Sequence, residues 1–401
     1  IYNYTENQTR SKFRMQADQT LRHSYLNHAG TSWPKPEVVS EAIRDATFAS
    51  PSSWPNRFDN AHKTIADFFG VNCREQILLT PGCTSALAVA IGDARIAPGK
   101  RILTSRWEHH AVHRPLLKRA GADVSVEYIP PGQLNSTSGL TELIDLQWLE
   151  NALSKRDVGL VAITAACNVT GELLPFTEVI ELAHQHGVQV LIDAAQLVGW
   201  HKLNLTELGA DMVAFGGHKG LQGPWGIGGL YMSEQVQMEC ASAQCELSVS
   251  GSTQSAGVRP GYCDVGSVDQ FALAGLHAAI QMLNQQNLPN HLDRARHQIQ
   301  RIGEALKERE GLQIFGGNKN SMPSIALTVS GLPSSKLASL LGKNGLVVGS
   351  GLQCSPLAHD TLGTMDSGVV RLSVGLGQPD EEIDEAIERI RQAFSQMPVA
   401  L

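Results

Sequence analysis

Lys219 stands in the stretch GGHKGLQGPWGIGGLY, residues 216–231, where glycines let the backbone bend and approach another molecule closely. An ammonium there suits three tasks: solvation in a loop, a grip on phosphate, or nucleophilic attack that ends in a covalent bond. Asp193 ends the apolar run VQVLID, where a carboxylate can hold a cation or a protonated ring nitrogen, or cap the next helix. Pro81-Gly82-Cys83-Thr84-Ser85 follows QILLT and leads into the helix-like SALAVAI. Amides at a helix start with hydroxyls beside them make a phosphate site, and the same pattern makes an ordinary capped turn. Glu108-His109-His110-Ala111 follows RILT. His109 and His113, four apart, could share a helix face toward a metal, yet no cysteine or carboxylate cluster completes the set. An imidazole lying on a planar ring, exchanging protons near neutral pH, is the better reading.

In chain order these are a phosphate loop, an acid and, one β-α-β step later, a lysine. Pyridoxal 5'-phosphate needs that set: a lysine to bind it covalently, an acid for its pyridinium nitrogen and a helix N-terminus for its phosphate. A dinucleotide reading of GPWGIGG fails on context. Such a fingerprint opens a helix, whereas this run leads into the apolar GGLYM.

The elements that must position these residues read as alternating strands and helices. Strands are expected at Gln76–Thr80, Arg101–Thr104, Asp123–Ile129, Gly159–Thr164, Val188–Asp193, Met212–Phe215 and Gly228–Met232. Helical periodicity lies between them, as in Phe176–Gln185, where Val179, Ile180, Leu182 and Ala183 make one face. The expected fold is therefore α/β, with a mainly parallel sheet covered on both faces and ligands at the carboxyl ends of its strands. A long helical region, Gln270–Gln286 and Leu292–Glu310, then leads to apolar runs at Ser324–Val329, Gly345–Val348 and Val369–Val374 and a last helix, Glu381–Ser395. That pattern implies a smaller α+β domain. The expected division is an N-terminal segment, 1–24, packing with the small domain, a large cofactor-binding domain over 25–268, and a linker helix plus small domain over 269–401.

Composition excludes other classes. A 401-residue chain is long enough for two domains, and a formal net charge of -7 argues against general nucleic-acid binding. No apolar run reaches the about 18 residues of a membrane span. The start, IYNYTENQTRSKFRMQ, lacks a basic-then-apolar signal pattern, so a cytoplasmic location is expected. Seven cysteines at irregular spacing form no CxxC pair and no disulfide framework.

Seven segments together resemble the class V aminotransferase group of pyridoxal-phosphate enzymes, and within it the cysteine desulfurase and selenocysteine lyase-like branch. They are LNHAGTSWPKP, EHHA, CNVTGELLP, VLIDAAQ, GGHKGLQGPWGIGGLY, DVGS and LQCSPLAHDTLGT, spread in family order over nearly the whole chain. The resemblance implies fold type I, with a seven-stranded sheet in the large domain. It implies that Lys219 binds the cofactor covalently, Asp193 pairs with its ring nitrogen, Gln196 faces its phenolic oxygen and His109 stacks on its ring. Cys83, Thr84 and His218 would take the phosphate, and Ser267 would reach the phosphate of a neighbouring subunit in a homodimer with shared sites. Arg371, in VVRLSVG, matches the arginine that grips the substrate carboxylate, with Asn168 beside it; a guanidinium fork suits that anion better than an ammonium does.

The reaction turns on Cys354. The resemblance puts it on a loop over the active site, where its thiolate attacks the sulfur of cofactor-bound cysteine, leaving alanine and an enzyme persulfide that a sulfur-acceptor protein can relieve. A thiolate partly populated near neutral pH suits that step, whereas a cysteine is more often a small buried hydrophobe. The expected substrate is L-cysteine, with selenocysteine a second candidate. The alternatives are a C–S lyase or aminotransferase on another amino acid, with Cys354 not catalytic, and a scaffold or sulfur-carrier component without turnover. The sequence departs from the family pattern at Gln353 (usually His), Gly216 (usually Ser), Gly377-Gln378 (usually an aromatic-Asn pair) and Asn27-His28 (usually Asp-Asn), and in the loop Ser50–Arg57.

Overall fold

The structure, a computed structural model, describes residues 24–132, 134–135, 139–140, 142–236, 268–307 and 309–397. Its larger sheet has the seven strands expected. In spatial order they are Ile77–Thr80, Gly228–Met232, Met212–Gly216, Gln189–Asp193, Val158–Thr164, Lys100–Ser105 and Val124–Ile129. Gly228–Met232 alone runs opposite in direction to the other six strands. The apolar runs are continuous because both faces are covered. Leu160, Ala162, Leu191 and Ala214 join one core cluster, while Val161, Ile163, Ile192 and Phe215 join the other.

Parallel strands bring their carboxyl ends to one edge. Ser105, Thr164, Asp193 and Gly216 therefore end side by side, and antiparallel Gly228 starts there, opposite Gly216 and Thr80. The smaller sheet runs in the order Ser24–Leu26, Leu346–Gly351, Val369–Ser373, Ser324–Val329 and Leu312–Gly316. The chain's first described strand is thus an edge of the second sheet, parallel to Leu346–Gly351.

The connecting helices start where their caps say. Asp269 accepts from the amides of Phe271 and Ala272, both at 3.0 Å, and opens the helix Gln270–Asn284. The next helix spans Leu288–Leu306, starting four residues before the expected Leu292, because Pro289 is tolerated in a first turn and Asn287 caps it. The two sheets meet near Asn168. Met322 donates its amide to Gly171 at 2.7 Å and Leu173 to Asn320 at 3.0 Å. No helix among the described residues is long and apolar enough to cross a membrane.

Candidate active site

The lysine loop is pinned from two sides. A Cβ at Gly220 would lie 2.3 Å from the carbonyl oxygen of Val198, so only glycine fits beside Lys219. The His218 carbonyl accepts from the Ser32 amide at 3.0 Å, the Thr31 and Ser32 hydroxyls at 3.0 and 3.1 Å, and Lys35 Nζ at 2.8 Å. Four donors on one oxygen leave the backbone before Lys219 little freedom. Burial pushes the Lys219 ammonium below the ordinary lysine range, and the Asp193 charge works against it. A more easily neutralised amine is more often present in the free form that can act as nucleophile or base.

Asp193 is 4% exposed. Its Oδ1 accepts the Ala195 amide at 2.9 Å and the Cys83 thiol at 3.4 Å. Burial raises its carboxyl above the usual range, opposed by that amide and by Lys219. Cys83 opens the helix Cys83–Asp93, whose first amides have no acceptor inside the helix, and Thr84, exposed, follows it. A Cβ built on Gly216 would sit 3.5 Å from Cys83 Cβ and 3.8 Å from His218 Cδ2, so the three residues border one space. His218 Nδ1 is buried there without a hydrogen-bond partner. Burial, then Lys219 and Lys35, pull that imidazole down to about 4, so it is neutral. A free helix start, an orphaned ring nitrogen, a buried acid and a lysine fit pyridoxal phosphate in donor chemistry.

His109 caps the helix His110–Arg119 with Nδ1, which accepts the Ala111 amide at 3.0 Å. Its proton therefore sits on Nε2. Burial, with Lys219 next in importance, lowers this ring to about 4. The sequence assigns no role to its neighbour Glu108. The structure buries it to 1% exposure at the strand ends, with Oε1 accepting Ser105 Oγ at 2.5 Å and the Thr164 amide at 3.0 Å. Burial pushes it up to about 8, so it is largely protonated at neutral pH. An acid beside His109 at a strand end was the available signal.

On the opposite wall Asn168 reaches the cysteine loop. Its Nδ2 donates to the Gln353 carbonyl at 2.7 Å, its Oδ1 accepts the Ser355 hydroxyl at 2.7 Å, and its carbonyl accepts Arg371 Nη1 at 2.6 Å. The Cys354 carbonyl accepts the His110 amide at 2.8 Å. Gln353 and Cys354 have φ of 49° and 58°, a left-handed pair of non-glycine residues that costs about 1–3 kcal/mol each. Arg106 adds a bond to Thr361 at 3.1 Å and an ion pair to Asp360, on the helix Pro356–Leu362 that follows. Cys354 itself is exposed, and a thiolate there raises the affinity of Lys219 and Arg371 for their protons.

Gln196 donates to the Ala29 carbonyl at 3.0 Å. With His28, Asn168 and Lys219 it lines a narrow cleft. The structure therefore brings Lys219 within electrostatic reach of Asp193, Cys83, His109, His218, Arg371 and Cys354, while Gln196 and Asn168 share its cleft. Ser267 and the DVGS segment lie outside the described residues. Among the described residues, no group of three or more histidines, cysteines or acids could hold a metal.

Comparison with known proteins points the same way. The family model described as aminotransferase class-V matches residues 25–386. Cysteine desulfurases IscS from Cronobacter sakazakii and from Escherichia coli (strain K12 / DH10B) are each 29% identical over 399 residues, 93% of this chain and 93% of theirs. The S-sulfonic acid form of the cysteine desulfurase CsdA from Escherichia coli matches with a TM-score of 0.83 and 25% identity, over 99% of this chain and 100% of that one. The cystine C-S lyase C-DES, solved with its product cysteine persulfide, has a TM-score of 0.76 at 19% identity, over 92% and 97% of the two chains, a likeness of fold alone.

Proposed function

This chain belongs to the class-V aminotransferase family, and from that premise we propose that it is a cysteine desulfurase that converts L-cysteine to L-alanine, with selenocysteine a second candidate substrate and the sulfur of cysteine held as a persulfide on Cys354. It is a pyridoxal-phosphate-dependent enzyme of fold type I. The observation that carries the reading is the setting of Cys354: Asn168, which lines the cleft with Lys219, binds the carbonyl of Gln353 before it and the hydroxyl of Ser355 after it.

Lys219 Nζ anchors the cofactor, Asp193 pairs with its ring nitrogen, Gln196 meets its phenolic oxygen and His109 covers its ring. The amides of Cys83 and Thr84, the Thr84 hydroxyl and His218 take the phosphate, joined by Ser267 from a neighbouring subunit. When bound, pyridoxal phosphate supplies the electron sink for charge developing on the substrate carbons. Arg371 and Asn168 orient the α-carboxylate. Lys219 Nζ is the base for the α-proton, helped by the burial that lowers its proton affinity. The Cys354 thiolate attacks the substrate sulfur, forming the S–S bond as the carbon–sulfur bond breaks. The released electron pair goes to the β-carbon, which takes a proton to become the methyl group of alanine. His109, with its proton on Nε2, is the group placed to serve that side.

We place the enzyme in the cytoplasm as a homodimer, passing sulfur to an acceptor protein, with units at 25–268 and 269–401. Apolar side chains left on the surface support the pairing: Phe48 is 85% exposed, Trp225 66% and Trp33 54%. Trp225 lies 6.1 Å, ring to ring, from His218, beside the residue assigned to the phosphate. The deciding experiment is product analysis with L-cysteine and a reductant. Equal alanine and sulfide supports the proposal, pyruvate makes the enzyme a C–S lyase, and neither product excludes both.

A further inference from the structure

Arg371 is 4% exposed, yet among the described residues its hydrogen bonds run only to neutral acceptors. Nη1 donates to the Asn168 carbonyl at 2.6 Å and Nη2 to Asn27 Oδ1 at 3.1 Å. Among the described residues no carboxylate pairs with it, and its buried Nε has no partner at all. Burial draws the guanidinium down to about 10, which still leaves it charged at neutral pH. A buried cation without a counter-charge is costly, so a site that keeps one is built for an anion that arrives from outside.

Asn27 is held in place for this contact. Its carbonyl accepts the Gly30 amide at 3.0 Å and the Tyr25 hydroxyl at 3.2 Å, and its backbone bridges Ser373 beside Arg371. Its side chain fills a slot between two glycines: a Cβ on Gly30 or on Gly349 would lie 3.0 Å from Oδ1. Gly349 is also the register partner of Arg371 across the sheet. A guanidinium only donates, so the amide must present its oxygen to it. A carboxylate of the same shape would fit the slot and neutralise the charge.

We propose that Asn27 is a positioning residue that orients Arg371 through a neutral hydrogen bond and so reserves the full positive charge for the α-carboxylate of the substrate, setting affinity rather than the rate of the chemical step. This rests on the reading of the cleft as an amino-acid site. The free Nε, with the second proton of Nη2, is the edge of the fork that such a carboxylate would meet.

The test compares wild type, Asn27→Asp and Asn27→Ala as holoenzymes, in kcat and KM for L-cysteine and in the calorimetric Kd for L-alanine. Asn27→Asp is isosteric and should raise KM and the L-alanine Kd about tenfold or more, with kcat changed far less, because an internal counter-charge competes with the substrate. Asn27→Ala removes the hydrogen bond without adding charge and should weaken affinity less than Asp does. A merely structural role predicts the reverse order, since Ala empties the slot. The inference is overturned if Asn27→Asp binds as well as Asn27→Ala, or if the loss falls on kcat instead. If wild type binds L-alanine but makes none from L-cysteine, the desulfurase reading fails while the affinity order of the variants still decides the role of Asn27. If wild type binds neither amino acid, both fall.

Discussion

Asn168 holds Cys354 from both sides: one end of its side-chain amide donates to the carbonyl of the preceding residue and the other accepts from the hydroxyl of the following one, each at 2.7 Å. One amide thus uses both its polar ends to fix a loop whose two central residues occupy a conformation non-glycine residues avoid. Such a conformation persists only where surrounding bonds over-determine it, and the His110 amide supplies a further one.

Removing the clamp should therefore misplace the thiol without emptying the cofactor site. Asn168→Ala is expected to lower alanine release from L-cysteine about tenfold or more, since small displacements of a nucleophile are costly. The visible absorption of the bound cofactor should persist. Wild-type turnover in this variant would show that the clamp does not position Cys354.

Lys219 and Asp193 can be separated by what each loses. Lys219→Ala should still hold pyridoxal phosphate through the helix start at Cys83, but borohydride should no longer fix it to the chain. Labelling of another lysine in wild type would refute the assignment. Asp193→Asn should keep the covalent link and slow turnover about a hundredfold, because an unprotonated pyridine is a poor electron sink. Near-normal turnover would remove Asp193 from that role.

What could be read ahead of the structure was what is local. The seven strands of the larger sheet were legible because Val158–Thr164 and its neighbours are buried on both faces and read as unbroken apolar runs. Lys219 and Asp193 stood out because each ends or follows such a run. The strand Ser24–Leu26 was not legible, since three residues carry no periodicity and its partner lies more than 300 positions away. The contact between Asn27 and Arg371 spans 344 positions and was hidden for the same reason. Glu108 was visible as a residue but not as a protonated one, because its burial comes from tertiary packing alone.

That burial makes a pH prediction. The Glu108 carboxyl is raised from its ordinary value of 4.5 to about 8, so the folded protein holds a proton the unfolded chain has lost between those values. Wild-type stability should therefore fall as pH rises from about 4.5 to about 8 relative to Glu108→Gln, which cannot ionise. The pH-dependent part of the gap should vanish below the unfolded value and level off above the folded one, at up to roughly 5 kcal/mol. Thermal melts of the two proteins across that range measure it. A constant gap, or one that grows toward acid, would mean that Glu108 is ionised in the fold.

Cys354 separates the two enzymatic readings. In a desulfurase the α-proton leaves first, with Lys219 as base, and only afterwards does the Cys354 thiolate take the sulfur. Cys354→Ala should therefore still bind L-cysteine, seen as a shift of the cofactor absorption, and still exchange the α-proton with deuterated solvent. It should release almost no alanine, because no acceptor receives the sulfur as the carbon–sulfur bond breaks. Selenocysteine should escape part of the loss, since selenium leaves more readily without an attacking thiolate. An eliminating lyase has no use for the nucleophile and would go on producing pyruvate in the same variant. Alanine formation from L-cysteine at the wild-type rate by Cys354→Ala would remove the persulfide from the mechanism, and the exposed thiol held by Asn168 would then need another purpose.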